Sequence, residues 1–250
     1  AWAFSAGDVA RATKAVGVEL INDYTATALS LGHLADGDVV KLGPDLTAEA
    51  SEPDVRLVLG PGTGLGVSAR IAASGAAPVG LATEGGHAAF APADEFEWAI
   101  AQRLRGRFGR VSYERLLSGE GLCNLYAAIS DINGASPEDL EPSDVTARAL
   151  AGVDTCCVAA LNTFCAVLGA CAGDLALAYG ARGGVYFGGG ILPRMTEFVQ
   201  TSDLRRRFED KGRFRDYVAA IPTRLIVHPY AALLGAAAHL HAHLATETPS

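Results

Sequence analysis

Two hundred and fifty residues allow one large domain or two small ones. Half of the residues are hydrophobic, enough for a sizeable core, and the chain carries 20 basic against 28 acidic residues for a net charge of −8. That balance excludes a disordered chain and argues against nucleic-acid and anionic-membrane partners. No run reaches eighteen uninterrupted apolar residues, and the N-terminus shows no basic-then-apolar leader, so neither a membrane span nor a secretory signal is expected. Cys123, Cys156, Cys157, Cys165 and Cys171 have no zinc spacing. They read as reduced core thiols of a cytoplasmic protein, with no structural metal site.

In chain order, Val18–Ile21 reads as a short strand ending at Asn22-Asp23, and Ala26–Leu34 as the start of a helix. Val55–Leu59 and Val67–Ala72 read as strands around the glycine loop Gly60–Gly66, a hairpin pattern. Asp94 is an N-cap with Glu97 at the capping-box position, and Phe96, Ile100, Leu104 and Phe108 form one apolar stripe. Residues 138–144, acidic with two prolines, read as a surface loop. From Asp154 to Tyr179 apolar residues recur at spacings of three and four, and Gly180 stops the helix. Gly169 and Gly173 inside it predict close packing of a neighbour. A strand at Val185–Phe187, a triple glycine at Gly188–Gly190, a helix opened by Pro193, a strand at Leu225–His228 and a helix at Ala231–Leu244 complete an α/β pattern.

Four segments could carry chemistry. The loop Gly60-Pro61-Gly62-Thr63-Gly64-Leu65-Gly66 leaves backbone N–H groups open to an anion, with the Thr63 hydroxyl as a further donor. It is neither a Walker loop nor a dinucleotide fingerprint, and it reads equally as a turn that needs positive φ. Asn22-Asp23 places a carboxylate where open α/β sheets hold ligands, able to take a proton from a hydroxyl, though Asp also serves as an ordinary helix cap. Glu84-Gly85-Gly86-His87 brings two polar heads together around bare backbone, suitable for a polyol; the alternative is a solvated turn. Gly188–Gly190 after a buried strand suits a flat ligand pressed on backbone, or a plain strand-to-helix connection. Glu114 by itself reads as a helix-surface acid.

Taken together, INDYTATAL (21–29), GPGTGLGV (60–67), EGGHAAFAP (84–92), GRVSYERLLSGEGLCNLY (109–126), GGVYFGGGILPR (183–194), FEDKGRF (208–214) and IPTRLIVH (221–228) resemble the bacterial glucokinase family of actin/hexokinase-like ATPases. They occur in the family's order over essentially the whole chain. The resemblance implies a two-domain, ribonuclease H-like α/β fold and transfer of a phosphoryl group from MgATP to the 6-hydroxyl of D-glucose. It implies Asp23 as the base, and Asn22, Asp23, Glu84, His87 and Glu114 around the sugar. Gly62, Thr63 and Gly64 would hold the ATP phosphates, and Gly188, Gly189 and Gly190 would face the adenosine. ATP, Mg²⁺ with the nucleotide, and a cytoplasmic homodimer are also implied.

The departure is at the start. The chain opens Ala1-Trp2-Ala3-Phe4 without Met, and the family's first strand and D-x-G-G-T-N phosphate loop are not found in it. The expectation is therefore a truncated start, roughly 75 residues short, a small domain's worth. Residues 1–33 would be the remainder of an incomplete small domain, 34–223 the large domain, and 224–250 the return to the small one. A glucokinase is then one reading, and a truncated fragment that binds sugar without phosphoryl transfer is the other.

Overall fold

The structure, a computed structural model, describes residues 5–48 and 51–247. It begins with helices α1 (Ala6–Thr13) and α2 (Asp23–Ser30) and strands β1 (Val39–Lys41), β2 (Asp54–Pro61), β3 (Leu65–Ala72) and β4 (Val79–Ala82). Helices α3 (Glu95–Phe108), α4 (Gly119–Ile132), α5 (Pro142–Ala151) and α6 (Thr155–Tyr179) follow, then strand β5 (Val185–Phe187). Short helices α7 (Thr196–Thr201), α8 (Leu204–Glu209) and α9 (Arg215–Ala219) lead to strand β6 (Thr223–Ile226) and helix α10 (Ala231–Glu247).

The six strands join in one sheet of order β1-β6-β5-β2-β3-β4, parallel at β2–β5 and β5–β6 and antiparallel elsewhere. Side chains alternate between the faces of a strand. Leu57, Leu59, Val185, Phe187 and Leu225 thus enter one core, shared with α3, α4, α6 and α8. Val58, Tyr186 and Ile226 enter a second, smaller core with Ala28 and Leu31, at α2 and just past its end, and with Ala231 of α10. The central strands are buried on both faces, which is why they read as continuous apolar runs.

Helix α6 is long and apolar enough by length to cross a membrane, yet most of it is buried inside the protein. Asp154 caps its start by accepting the N–H groups of Cys156 and Cys157, and Gly180, at φ +62°, ends it. A Cβ at Gly169 or Gly173 would run into the carbonyl oxygens of Leu204 and Phe208 on α8, the close packing expected from sequence. All five cysteines are free. Burial pushes the Cys165 thiol up to about 12.

Several expectations are corrected. Val18–Ile21 is not a strand: it is a largely exposed coil with no ladder partner among the described residues, and a strand is defined by its ladder. The following helix starts at Asp23, because Asn22 accepts the N–H groups of Tyr24 and Thr25. The last strand is Thr223–Ile226, since Val227 and His228 donate to the Asp38 carbonyl instead of continuing the ladder. Phe96 is 40% exposed, whereas Ile100 and Leu104 are buried. Residues 142–144 open α5 with Pro142 in its first turn, so the acidic loop is shorter than expected. Pro193 opens a 3-10 turn before α7.

Glu97 does more than cap. Asp94 accepts the Glu97 N–H, as expected, while Glu97 Oε2 accepts the N–H of Ala93 and Oε1 pairs with Arg207 at 2.6 Å. Both side chains of the pair are buried, so α3 and α8 are tied through a desolvated charge pair. Removing one partner strands the other's charge. Arg207→Leu is expected to cost about 3–5 kcal/mol in urea unfolding, and adding Glu97→Gln should recover part of that loss.

Candidate active site

Strands β2, β5 and β6 run parallel and end together: β2 at Pro61, β5 at Phe187, β6 at Ile226. A cavity of about 850 Å³ opens outside these carboxyl ends, where open α/β sheets hold ligands. Its wall includes Asp23 at the start of α2, Gly62–Gly64, Glu84, Glu114, Gly188–Gly190, Arg194 and His228. Segments far apart in sequence are thus brought to one place. Asn22 and His87 are not among the lining residues. Asn22 spends its carbonyl oxygen on the α2 cap, at 2.9 and 3.1 Å from the Tyr24 and Thr25 nitrogens.

The glycine spacing has a physical cause that differs from the turn reading. No glycine from Gly60 to Gly66 has positive φ. Gly60 and Gly66 are cross-strand partners in the β2–β3 hairpin and share one face. The Tyr24 side chain lies across them: an added Cβ at Gly66 would overlap the ring, and one at Gly60 the hydroxyl. The Tyr24 hydroxyl donates to the Gly60 carbonyl at 2.7 Å. A Cβ at Gly64 would press on the Glu114 carboxylate. Gly62 differs: a Cβ there meets no atom of the described residues within 4 Å, and the same holds for Gly190. Gly60 and Gly66 are therefore bare because Tyr24 fills their shared face, while Gly62 and Gly64 lie in the turn between the strands.

Glu114 sits on a 3-10 turn, Tyr113–Arg115, whose Tyr113 is buried and donates to Asp174 of α6 at 3.2 Å. Glu114 Oε2 accepts the Leu65 N–H at 3.0 Å, so this carboxylate holds the glycine hairpin. Its Oε1 lies 3.8 Å from His87 Nδ1, and His87 Nε2 lies 3.9 Å from Glu84 Oε2. The three side chains cluster at one side of the cavity. Gly86 allows this because its Cβ would collide with the Leu65 carbonyl. Asp23 is exposed; its Oδ1 accepts the Tyr24 N–H at 2.9 Å, and Oδ2 has no hydrogen bond among the described residues.

Chemically, the cavity offers carboxylate acceptors at Asp23, Glu84 and Glu114, bare backbone at two glycine loops, and one guanidinium, Arg194, among its lining residues. Acceptors suit hydroxyl donors, and exposed N–H groups suit phosphate oxygens. Sequence reasoning missed Tyr24, Thr27, Arg194 and His228 as lining residues. The alternation of glycines was the available signal for Tyr24, since bare strand backbone on one face implies something large lying on it.

The sequence model of the glucokinase family matches residues 1–243. A glucokinase of Chromobacterium violaceum is 50% identical over 245 residues, covering 98% of this chain and 69% of that protein. A glucokinase of Hahella chejuensis is 46% identical, over 94% of this chain and 72% of the other. The crystal structure of a glucokinase from an Antarctic psychrotroph superposes with a TM-score of 0.87 at 36% identity, over 95% of this chain and 73% of that one. A Thermus thermophilus ROK hexokinase, 20% identical with a TM-score of 0.60 over 97% and 70% of the two chains, shares the fold. The architecture is that of an ATP-dependent sugar kinase with the actin/hexokinase-like fold. Within that class, the chain belongs to the glucokinase family.

The double position of Glu114 separates two roles by substitution. Glu114→Ala leaves the buried Leu65 N–H without a partner and is expected to cost about 1–3 kcal/mol in urea unfolding. Glu114→Gln, which keeps an acceptor oxygen, should unfold close to wild type.

Proposed function

We propose that this chain transfers the γ-phosphoryl group of MgATP to the 6-hydroxyl of D-glucose, with Asp23 as the general base. The observation that carries the reading is the convergence, in one cavity, of an exposed carboxylate, further carboxylate acceptors and two stretches of open glycine backbone. Phosphoryl transfer asks for positioning and charge stabilisation more than for covalent chemistry, and such a cavity supplies both.

In this reading glucose lies against Glu84, His87 and Glu114, with Asn22 at the start of α2 completing the set. Glu114 Oε1 accepts a sugar hydroxyl while Oε2 stays on Leu65. Acceptors matched to particular hydroxyls discriminate among hexoses, because a sugar lacking a hydroxyl leaves its acceptor unpaired. Asp23 Oδ2 takes the 6-hydroxyl proton as the oxygen attacks the γ-phosphorus. Gly62-Thr63-Gly64 face the phosphates with the Thr63 and Gly64 N–H groups and the Thr63 hydroxyl, the Gly62 N–H donating to the Gly64 carbonyl at 2.8 Å, and Gly188–Gly190 face the adenosine. The magnesium ion enters with the nucleotide. Residues 1–33 and 224–250 form a small-domain portion beside the large domain 34–223. The tight packing of α10 on α2, where a Cβ at Gly235 would overlap the Ala26 carbonyl, supports grouping these segments.

A coupled assay for glucose 6-phosphate, run beside glucose-binding calorimetry, tests the reading. Turnover supports it; binding without turnover would favour the sugar-binding fragment. Asp23→Asn is expected to lower kcat at least ~10²-fold with little change in KM, as on losing a base. Near-normal kcat in that variant removes Asp23 from the role. Glu114→Gln should raise KM for glucose more than KM for ATP, and equal effects on both would end its sugar assignment.

A further inference from the structure

We propose that Tyr24 is a positioning residue that pins the helix carrying Asp23 to both glycine loops, fixing where the acceptor carboxylate stands relative to the nucleotide-facing backbone. The roles given to Asp23 and the loops rest on the function proposed above; the pin itself rests on packing.

Tyr24 is the second residue of α2, next to Asp23. Its ring covers the Gly60–Gly66 pair, its hydroxyl donates to the Gly60 carbonyl, and a Cβ at Gly189 would come within 3.1 Å of that hydroxyl. One side chain thus touches the β2 end, the β3 start and the loop after β5. Gly189, at φ +85°, also packs its α-carbon against the Pro61 carbonyl, so the two loops meet where the hydroxyl sits. Burial, and then the charge of Asp23, push the phenol above its ordinary range, so the hydroxyl stays a donor at neutral pH.

The arrangement has a mechanical reading. The N-terminus of α2 follows a largely exposed coil, residues 15–22, which is tied by the Glu19–His239 pair to α10 and not to the glycine loops. Without Tyr24, the start of α2 would be held by α10, through Gly235 on Ala26, and by β4, through Gly80 on Thr25, neither of which belongs to the two loops. Small displacements of a reacting group cost large factors in rate, so the residue that sets the Asp23-to-loop distance influences turnover through that distance.

The test compares wild type, Tyr24→Phe and Tyr24→Ala by steady-state kinetics and by amide hydrogen exchange. Tyr24→Ala is expected to lower kcat about 10-fold or more while each KM changes less than about 3-fold. Tyr24→Phe, which keeps the ring but not the bond to Gly60, should fall between the two. In Tyr24→Ala, exchange should accelerate at residues 62–66 and 188–190 while α6 stays protected. Gly66→Ala, which places a methyl where the ring lies, should give the same exchange pattern. Wild-type kcat in Tyr24→Ala, or exchange that rises equally through α6, overturns the proposal. If the wild-type chain makes no product, the proposed function fails. The exchange pattern then decides the pin alone: acceleration confined to the two loops supports it, and unchanged loops overturn it.

Discussion

The constraint that organises this molecule is that its central strands are buried on both faces. Leu57, Leu59, Val185 and Phe187 fill one side and Val58, Tyr186 and Ile226 the other, so the middle of the sheet is apolar on both sides. Polar groups are pushed to the strand ends, and because β2, β5 and β6 run the same way, three of those ends coincide. The cavity is the direct consequence. What lines it comes mostly from the strand ends, the loops that follow them and the start of a helix.

Bare backbone is then put to two uses. On the α2 face of the hairpin, missing side chains make room for an aromatic ring, and the fit between Tyr24 and the Gly60–Gly66 pair is a packing interaction like any in the core. On the cavity side, missing side chains leave peptide groups open. The same motif therefore holds a structural half and a ligand-facing half, residue by residue. Glu114 shows the economy in reverse: a single carboxylate orders the hairpin with one oxygen and offers the other to the cavity. Charge is handled more strictly away from the site, where Glu97 and Arg207 are buried only as a pair.

Long-period features were legible from sequence. Helix α6, with its Asp154 cap, Gly180 stop and internal glycines packed on α8, follows from spacing alone, as does the hairpin. The ordered motif series also named the family correctly. What sequence could not give was pairing. Val18–Ile21 has strand composition but no neighbour to bond, and β1 and β4, three and four residues long, exist only because β6 and β3 offer edges. Spacing alone did not single out Glu114, which came forward only through the family resemblance; its partner Leu65 lies 49 residues away. Of the two readings of the glycine loop, the turn that needs positive φ is overturned, since none of its glycines has positive φ.

Gly62 and Gly190 have a significance of a different kind. They are the glycines of the two loops at which an added methyl group meets open space, whereas their neighbours Gly60, Gly64, Gly66 and Gly189 are hemmed in by the protein. At most glycines of a loop, a substitution confuses damage to the scaffold with damage to recognition. At these two positions the confusion is absent, because the folded chain is indifferent to the extra carbon and only an incoming molecule could object to it. The molecule therefore contains, at two addresses on opposite loops, a natural means of probing what enters the cavity without disturbing what surrounds it.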